Sequence, residues 1–289
     1  MKKHISLLAI IAFASWGCDY IEVPPYVGGS SVTPVSDTVR RILIEDVTGH
    51  TCVNCPSAAK VIDSLEHLYP GQIVPVAVHF GFFAQPTQPA GTWPAGAFSE
   101  DFRVTAEDAD YDAIFGCSSW SLPNGLVNRT GYPSNIPSPA PTWSSTGAAI
   151  LSTPMSAYLK ITPTYTASSH TLNVQVSGEM MRDTTGTYLL ALYLVEDSLT
   201  GYQLDNSVSL GYDSNYVFNH VFRGCINTPG SIIGDTVLSG TIPAHTGISY
   251  SSPSFTINAA YNAAHCRVVG FIYKSDDYGV LQAAEADVE

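Results

Sequence analysis

The chain has 289 residues, 45% of them hydrophobic, which is enough to bury a sizeable core and argues against wholesale disorder. Lys and Arg number 12 against 25 Asp and Glu, and the formal net charge of −13 argues against a nucleic-acid partner. The length fits two ordinary domains.

The first 38 residues predict export and anchoring. A basic start at Lys2 and Lys3 precedes a short apolar segment, and together residues 1–17 are typical of a signal peptide. The segment Ser15-Trp16-Gly17-Cys18 resembles a bacterial lipobox, which implies that Cys18 becomes a lipidated first residue; ordinary cleavage nearby is the alternative. Residues 18–38 are rich in Pro, Gly and Ser and lack periodicity, so they predict a flexible tether.

Residues 40–79 predict a strand, a helix and a second strand. The apolar run Ile42–Ile44 favours a buried strand, and apolar residues at helical spacing follow from Ala58 to Leu68. A second apolar run, from Ile73 to Phe80, predicts the next strand. Cys52-Val53-Asn54-Cys55 lies where the first strand ends and the helix begins. A CxxC pair in this βαβ pattern is typical of a thioredoxin-like redox motif.

The position of the pair predicts the role of each cysteine. The unpaired N–H groups of the first helical turn carry partial positive charge, which stabilises a thiolate. We therefore expect Cys52 to attack a disulfide and Cys55 to resolve the mixed disulfide that results.

The same stretch resembles the thioredoxin superfamily. The resemblance implies that Asp46, six positions before Cys52, is a buried carboxylate that assists proton transfer at the second cysteine, although Glu45 could equally be the inward residue. It also implies a cis bond before Pro123, which would lie opposite the CxxC and offer adjacent backbone to a bound peptide. Between these motifs, residues 81–102 predict a surface loop over the site, either with its own small core or as a substrate lid.

The chain changes character after about residue 153. Seven or eight short runs rich in β-branched and aromatic residues are separated by turn signals, as in an all-β sandwich. The predicted fold class is therefore an α/β thioredoxin-like domain over residues 39–152 followed by an all-β immunoglobulin-like sandwich over residues 153–289.

Six cysteines have several possible pairings. With Cys18 lipidated and the CxxC pair closed, Cys225 and Cys266 are candidates for a structural disulfide in an oxidising compartment, which would leave Cys117 over. The sequence alone does not fix this pairing. A zinc site is not expected, because no second CxxC or paired His spacing accompanies the first motif.

The segments YVFNHVFR and VVGFIYKSDDYGVLQAAEADV, with the lone Gln203, resemble the Omp28 family of outer-membrane lipoproteins. This resemblance implies an outer-membrane location and the two-domain layout. No cofactor is expected. Two functional hypotheses remain. The first is an anchored thiol–disulfide oxidoreductase acting on envelope or surface proteins through Cys52, Cys55, Asp46 and Pro123. The second is a non-catalytic, adhesin-like or structural lipoprotein that keeps the first domain as a scaffold.

Overall fold

This computed structural model describes residues 39–289. A nine-stranded sheet is its largest element. The predicted signal peptide, the lipidation site Cys18 and the tether lie outside the described residues. The chain is mostly β-sheet with few helices, and none of the helices in residues 39–289 is long and apolar enough to cross a membrane.

The helices are α1 (Cys55–Leu68), α2 (Thr105–Phe115) and α3 (Trp143–Leu151). The strands are β1 (Ile42–Thr48), β2 (Ile73–His79), β3 (Asn124–Val127), β4 (Ser138–Pro139), β5 (Ala157–Thr166), β6 (Thr171–Met180), β7 (Thr184–Glu196), β8 (Leu199–Leu204), β9 (Tyr212–Phe218), β10 (Val221–Cys225), β11 (Asp235–Ile242), β12 (Gly247–Ser251), β13 (Phe255–Thr256), β14 (Cys266–Lys274) and β15 (Val280–Asp287).

The large sheet has the strand order β15-β14-β7-β10-β2-β1-β3-β4, and β11 also pairs with β7. β1 and β2 are parallel, with α1 as the crossover between them, and β3 runs antiparallel to β1. β10 joins the two halves, because its Val221 pairs with Ala77 of β2 while its other edge pairs with β7. One sheet therefore spans the domain boundary predicted at residues 152 and 153.

Both faces of this sheet are covered. On one face, α2 packs over residues from β1, β2, β7 and β14. On the other face, α1 and α3 cover β1 and β2, while the four-stranded sheet of β5, β6, β12 and β13 covers β7 and β14. β7 shows the consequence in its sequence: its central run LALYLV, residues 190–195, is buried on both sides and is therefore continuously apolar.

The described chain enters the sheet at the end of β1 that lies farthest from the CxxC loop. Gln282 Nε2 donates to the carbonyl of Val39, and Gln282 Oε1 accepts from the backbone N–H of Arg41. Gln72 Nε2 donates to the carbonyl of Arg40. These contacts fix the point from which β1 runs toward the cysteines.

Candidate functional site

Cys52 and Cys55 form a disulfide, with their Cα atoms 5.5 Å apart. The pairing agrees with the predicted motif, but one detail of the prediction was wrong. α1 begins at Cys55, so Cys52 precedes the helix instead of lying in its first turn. Both cysteines are buried: the exposed fraction is 4% for Cys52 and 2% for Cys55. The disulfide is closed to solvent in this conformation.

The loop before the disulfide is held by a close backbone contact. The N–H and hydroxyl of Thr51 both donate to the carbonyl of Phe83, at 3.0 and 2.9 Å. Gly49 allows this approach, because a Cβ at that position would lie 2.4 Å from the backbone C and O of Phe83. The glycine is thus required by packing, and it sets the path of the chain into Cys52.

Asp46, and not Glu45, lies on the same face of β1 as α1. Strand alternation places Asp46 on the side of Ile42 and Ile44, which pack against α1. Its carboxyl is buried, Oδ1 has no hydrogen-bond partner, and burial raises its pKa to about 7 while His220 opposes the shift. A carboxyl with this pKa can both take up and release a proton near neutral pH.

Glu45 has a structural role on the opposite face. Both of its carboxylate oxygens accept from Arg129, at 2.8 and 2.7 Å, and Tyr111 donates a further hydrogen bond. Both charged side chains are fully buried. Burial raises the pKa of Tyr111, so this hydroxyl stays protonated as a donor. The pair ties β1 to α2 and to the loop after β3.

Pro123 lies at the disulfide end of β3. The Leu122–Pro123 bond is cis, as expected, and so are Tyr132–Pro133 and Ile136–Pro137, which the sequence did not indicate. Pro123 directly precedes Asn124, which pairs with Val47 near the end of β1. The sheet thus brings Pro123, Asp46 and the CxxC loop to the same end of the molecule.

A hairpin that the sequence analysis missed covers the CxxC loop. β8 and β9 pair only with each other among the described strands, and the end of β8 lies against residues 49–54. The N–H groups of Leu204 and Asn206 donate to the carbonyls of His50 and Val53, at 2.9 and 3.0 Å. Gln203 Nε2 donates to the carbonyl of Cys52 at 2.9 Å. These hydrogen bonds place the end of the hairpin directly against the loop that carries the buried disulfide.

The predicted loop over residues 81–102 packs against this hairpin through aromatic rings. Trp93 contacts Phe98 and Tyr212 with ring centroids 5.0 and 5.3 Å apart, and Phe98 contacts Tyr202 at 5.6 Å. Phe82 in the same loop does not join these contacts and is 74% exposed. The loop and the hairpin therefore form a joint cover beside the disulfide.

Two histidines near the site are neutral at neutral pH. His50, two positions before Cys52, is buried with Nε2 2.8 Å from the carbonyl oxygen of Gln85, and burial lowers its pKa. His79 is buried between Phe102 and Phe218, both ring nitrogens lack partners, and burial lowers its pKa to about 3. Neither ring supplies a positive charge to the cysteines.

The predicted disulfide between Cys225 and Cys266 is not formed, and both thiols are free and buried, as is that of Cys117. The strands β10 and β14 flank β7 on opposite edges, which separates the two backbones by about 10 Å, beyond the reach of a disulfide. In addition, Cys225 belongs to the core under α2 and Cys266 to the core between the sheets. Within residues 39–289 no cluster of three or more His, Cys, Asp or Glu side chains could hold a metal ion.

Comparison with known proteins gives one family. Residues 108–289 match the family model of the outer membrane protein Omp28, a range that includes Pro123 and the covering hairpin and begins after the CxxC pair. No curated protein matches the chain.

Several solved structures resemble the chain at low identity. A domain of the outer membrane lipoprotein Omp28 from Porphyromonas gingivalis is 15% identical, covering 47% of this chain and 89% of that chain, with a TM-score of 0.32. A protein from Agrobacterium tumefaciens is 10% identical, covering 87% of this chain and 96% of that chain, with a TM-score of 0.47.

Proposed function

Because this chain belongs to the outer membrane protein Omp28 family, we propose that it is a lipid-anchored envelope protein whose Cys52–Cys55 pair exchanges disulfides with other envelope or surface proteins. Family membership gives the outer-membrane assignment. Lipidation at Cys18, the tether over residues 18–38 and the exchange reaction are parts of the proposal.

The arrangement around the disulfide supports a thioredoxin-like first domain over residues 39–152. The strand order β2-β1-β3-β4, the parallel β1-α1-β2 unit and the antiparallel β3 after α2 match what the resemblance to thioredoxins implies. The second domain, residues 153–289, is proposed as the immunoglobulin-like sandwich. Its β10 extends the first domain's sheet at β2.

The observation that carries the proposal is the placement of Asp46. A carboxyl with a pKa of about 7 is buried on the α1 face of the strand that leads into the CxxC loop. Fully burying an unpaired carboxyl costs stability, and such groups cluster at sites where protons are transferred. Nothing in the packing of β1 requires an acid here, since Ile42 and Ile44 occupy the equivalent positions on the same face.

The proposed reaction balances as follows. In the reduced protein, the Cys52 thiolate attacks one sulfur of a partner's disulfide, and the partner's other sulfur leaves as a thiolate. Cys55 gives its proton to the Asp46 carboxylate and attacks Cys52 Sγ, which releases the partner's second sulfur as a thiolate. The two electrons come from Cys52 and Cys55, which end as the disulfide seen in the structure. A dithiol partner restores the reduced form, and Pro123 would position the partner's chain.

The test is reduction of insulin by dithiothreitol, followed with wild type, Cys52→Ser, Asp46→Asn and the control Cys117→Ser. We expect turnover above the uncatalysed rate in wild type and the control, none in Cys52→Ser, and a slower rate with an altered pH profile in Asp46→Asn. Equal rates with and without wild-type protein would contradict the proposal.

One observation favours the second candidate, a non-catalytic surface or structural lipoprotein. Both sulfurs are almost completely buried, and a thiolate must reach a sulfur to exchange with it. In that case the disulfide would serve to hold the CxxC loop to α1. A reduction potential far below about −300 mV, with no insulin turnover, would identify this role.

A further inference from the structure

The hairpin that lies against the CxxC loop is separate from the large sheet. β8 and β9 form a separate two-stranded sheet, inserted between β7 and β10. A two-stranded hairpin has little stability of its own in water, so its position depends on what it packs against. Here that support includes the CxxC loop itself.

Main-chain N–H groups of the hairpin make the contact with the loop. Leu204 and Asn206 direct their N–H groups at the carbonyls of His50 and Val53. Leu204 is the last residue of β8 and Asn206 lies in the turn that follows, so the end of the strand and the hairpin turn together bind the loop. The Asn206 side chain adds a hydrogen bond to Asn54 at 2.8 Å, and Lys60 Nζ donates to Ser207 at 3.2 Å.

Gln203 provides the innermost contact. Its exposed fraction is 2%, and its amide nitrogen donates to the carbonyls of Cys52 and Leu204, at 2.9 and 2.8 Å, with Gly49 at 3.5 Å. A buried side-chain amide is costly unless its hydrogen bonds are made. The carbonyls of Gly49 and Cys52 belong to the CxxC loop, and that of Leu204 belongs to the hairpin. This amide therefore joins the hairpin to the loop directly.

We propose that the β8–β9 hairpin is a built-in cover bound to the main chain of the CxxC loop, that Gln203 holds it closed, and that the disulfide reacts only when the hairpin has moved away. The functional consequence of the cover rests on the proposed function: if the disulfide exchanges, the cover decides which proteins reach it. The covering itself is a property of the fold and can be measured without any exchange partner.

The rate at which an external reductant opens the disulfide measures the open fraction of the site. Oxidised full-length protein is treated with tris(2-carboxyethyl)phosphine, and the thiols that appear are alkylated and counted by mass spectrometry. Gln203→Met keeps the length of the side chain and removes the donor. Losing these hydrogen bonds should raise the rate about tenfold. Asn206→Ala, which removes the more exposed contact with Asn54, should raise it less.

Two matched variants keep this test specific. Asn215→Ala lies on β9 of the same hairpin, is exposed, and should leave the rate unchanged. Ile248→Val destabilises the core between the two sheets without touching the site, and shows how far a general loss of stability alone raises the rate. If Gln203→Met is reduced no faster than Ile248→Val at matched stability, the cover proposal is wrong.

The insulin assay separates this proposal from the exchange reaction. Faster phosphine reduction of Gln203→Met, with no insulin turnover in any variant, would support the cover proposal and contradict the exchange function. Insulin turnover by wild type, with an unchanged phosphine rate in Gln203→Met, would contradict the cover proposal and support the exchange function. An increase in both rates in Gln203→Met would support both.

Discussion

Glu45 and Asp46 are neighbours in β1 and point to opposite faces of the nine-stranded sheet. Glu45 accepts from Arg129 in a fully buried ion pair on the α2 side. Asp46 is buried without such a partner on the α1 side. The two adjacent carboxyls therefore lie in different environments, and substituting each one should have a different effect.

Asp46→Asn should change how stability depends on pH. In the unfolded chain Asp46 has a pKa of about 3.9, whereas burial raises its pKa in the folded protein to about 7. Between these values the folded state holds a proton that the unfolded state has lost, so this carboxyl lowers the free energy of unfolding as pH rises toward 7. The variant should exceed wild type by up to about 4 kcal/mol at pH 8 and by far less at pH 4.

Urea unfolding of both oxidised proteins at pH 4 and pH 8 measures this difference. A gap between variant and wild type that is the same at both pH values would show that Asp46 does not titrate in this range.

Arg129→Met should destabilise the fold strongly, because Glu45 would be left buried without its partner. We expect a loss of about 3–5 kcal/mol at pH 7, and recovery of most of it in Glu45→Gln/Arg129→Met. The exposed pair of Arg103 and Asp101 provides the control, since Arg103→Met should cost less than about 1 kcal/mol. Chemical denaturation of wild type, the two single variants and the double variant measures these free energies of unfolding. A double variant no more stable than Arg129→Met would contradict the prediction.

Gly49→Ala should loosen the loop before the disulfide. The added Cβ would lie 2.4 Å from the backbone of Phe83, so the two segments must separate. We expect a loss of about 1–3 kcal/mol and faster reduction of the disulfide by phosphine. Gly247→Ala is the matched control, because nothing lies within 4 Å of its Cβ position. Similar stabilities for the two variants would rule out the close contact.

The three free thiols can be counted. In protein with Cys18 replaced by Ser, denaturation without reductant should expose three alkylatable cysteines, and denaturation with reductant should expose five. The native protein should react slowly at all three, since Cys117, Cys225 and Cys266 are buried. Burial also raises the pKa of Cys225 to about 11, so little thiolate is present at neutral pH. A count of one without reductant would restore the predicted pairing of Cys225 with Cys266.

Sequence patterns located the regular elements well where they were long and periodic. The predicted helix from Ala58 to Leu68 corresponds to α1, and the apolar runs on either side of it correspond to β1 and β2. The choice between Glu45 and Asp46 could not be made from the sequence, because it depends on which face of β1 meets α1. The pairing of Cys225 with Cys266 failed for a similar reason, since only the strand order shows that β7 separates them.

The covering hairpin was missed because its sequence gives a weak signal. The run YVFNHVFRGC is typical of a single strand, yet it contains the end of β9 and all of β10, divided near His220, whose φ is +58°. β8 contains Gly201 and Gln203 and lacks a clear apolar alternation. Contacts that join residues about 150 positions apart along the chain, such as Gln203 with Cys52, leave no local pattern to detect.

The direction of β1 sets how far the start of the described chain lies from the cysteines. Gln282 and Gln72 hydrogen-bond the chain at Val39 and Arg40, and β1 then runs seven residues, about 23 Å, before the turn to the CxxC loop. A force transmitted through the backbone before Val39 would therefore reach the sheet at the end of β1 away from the disulfide, and these glutamine contacts would meet it first.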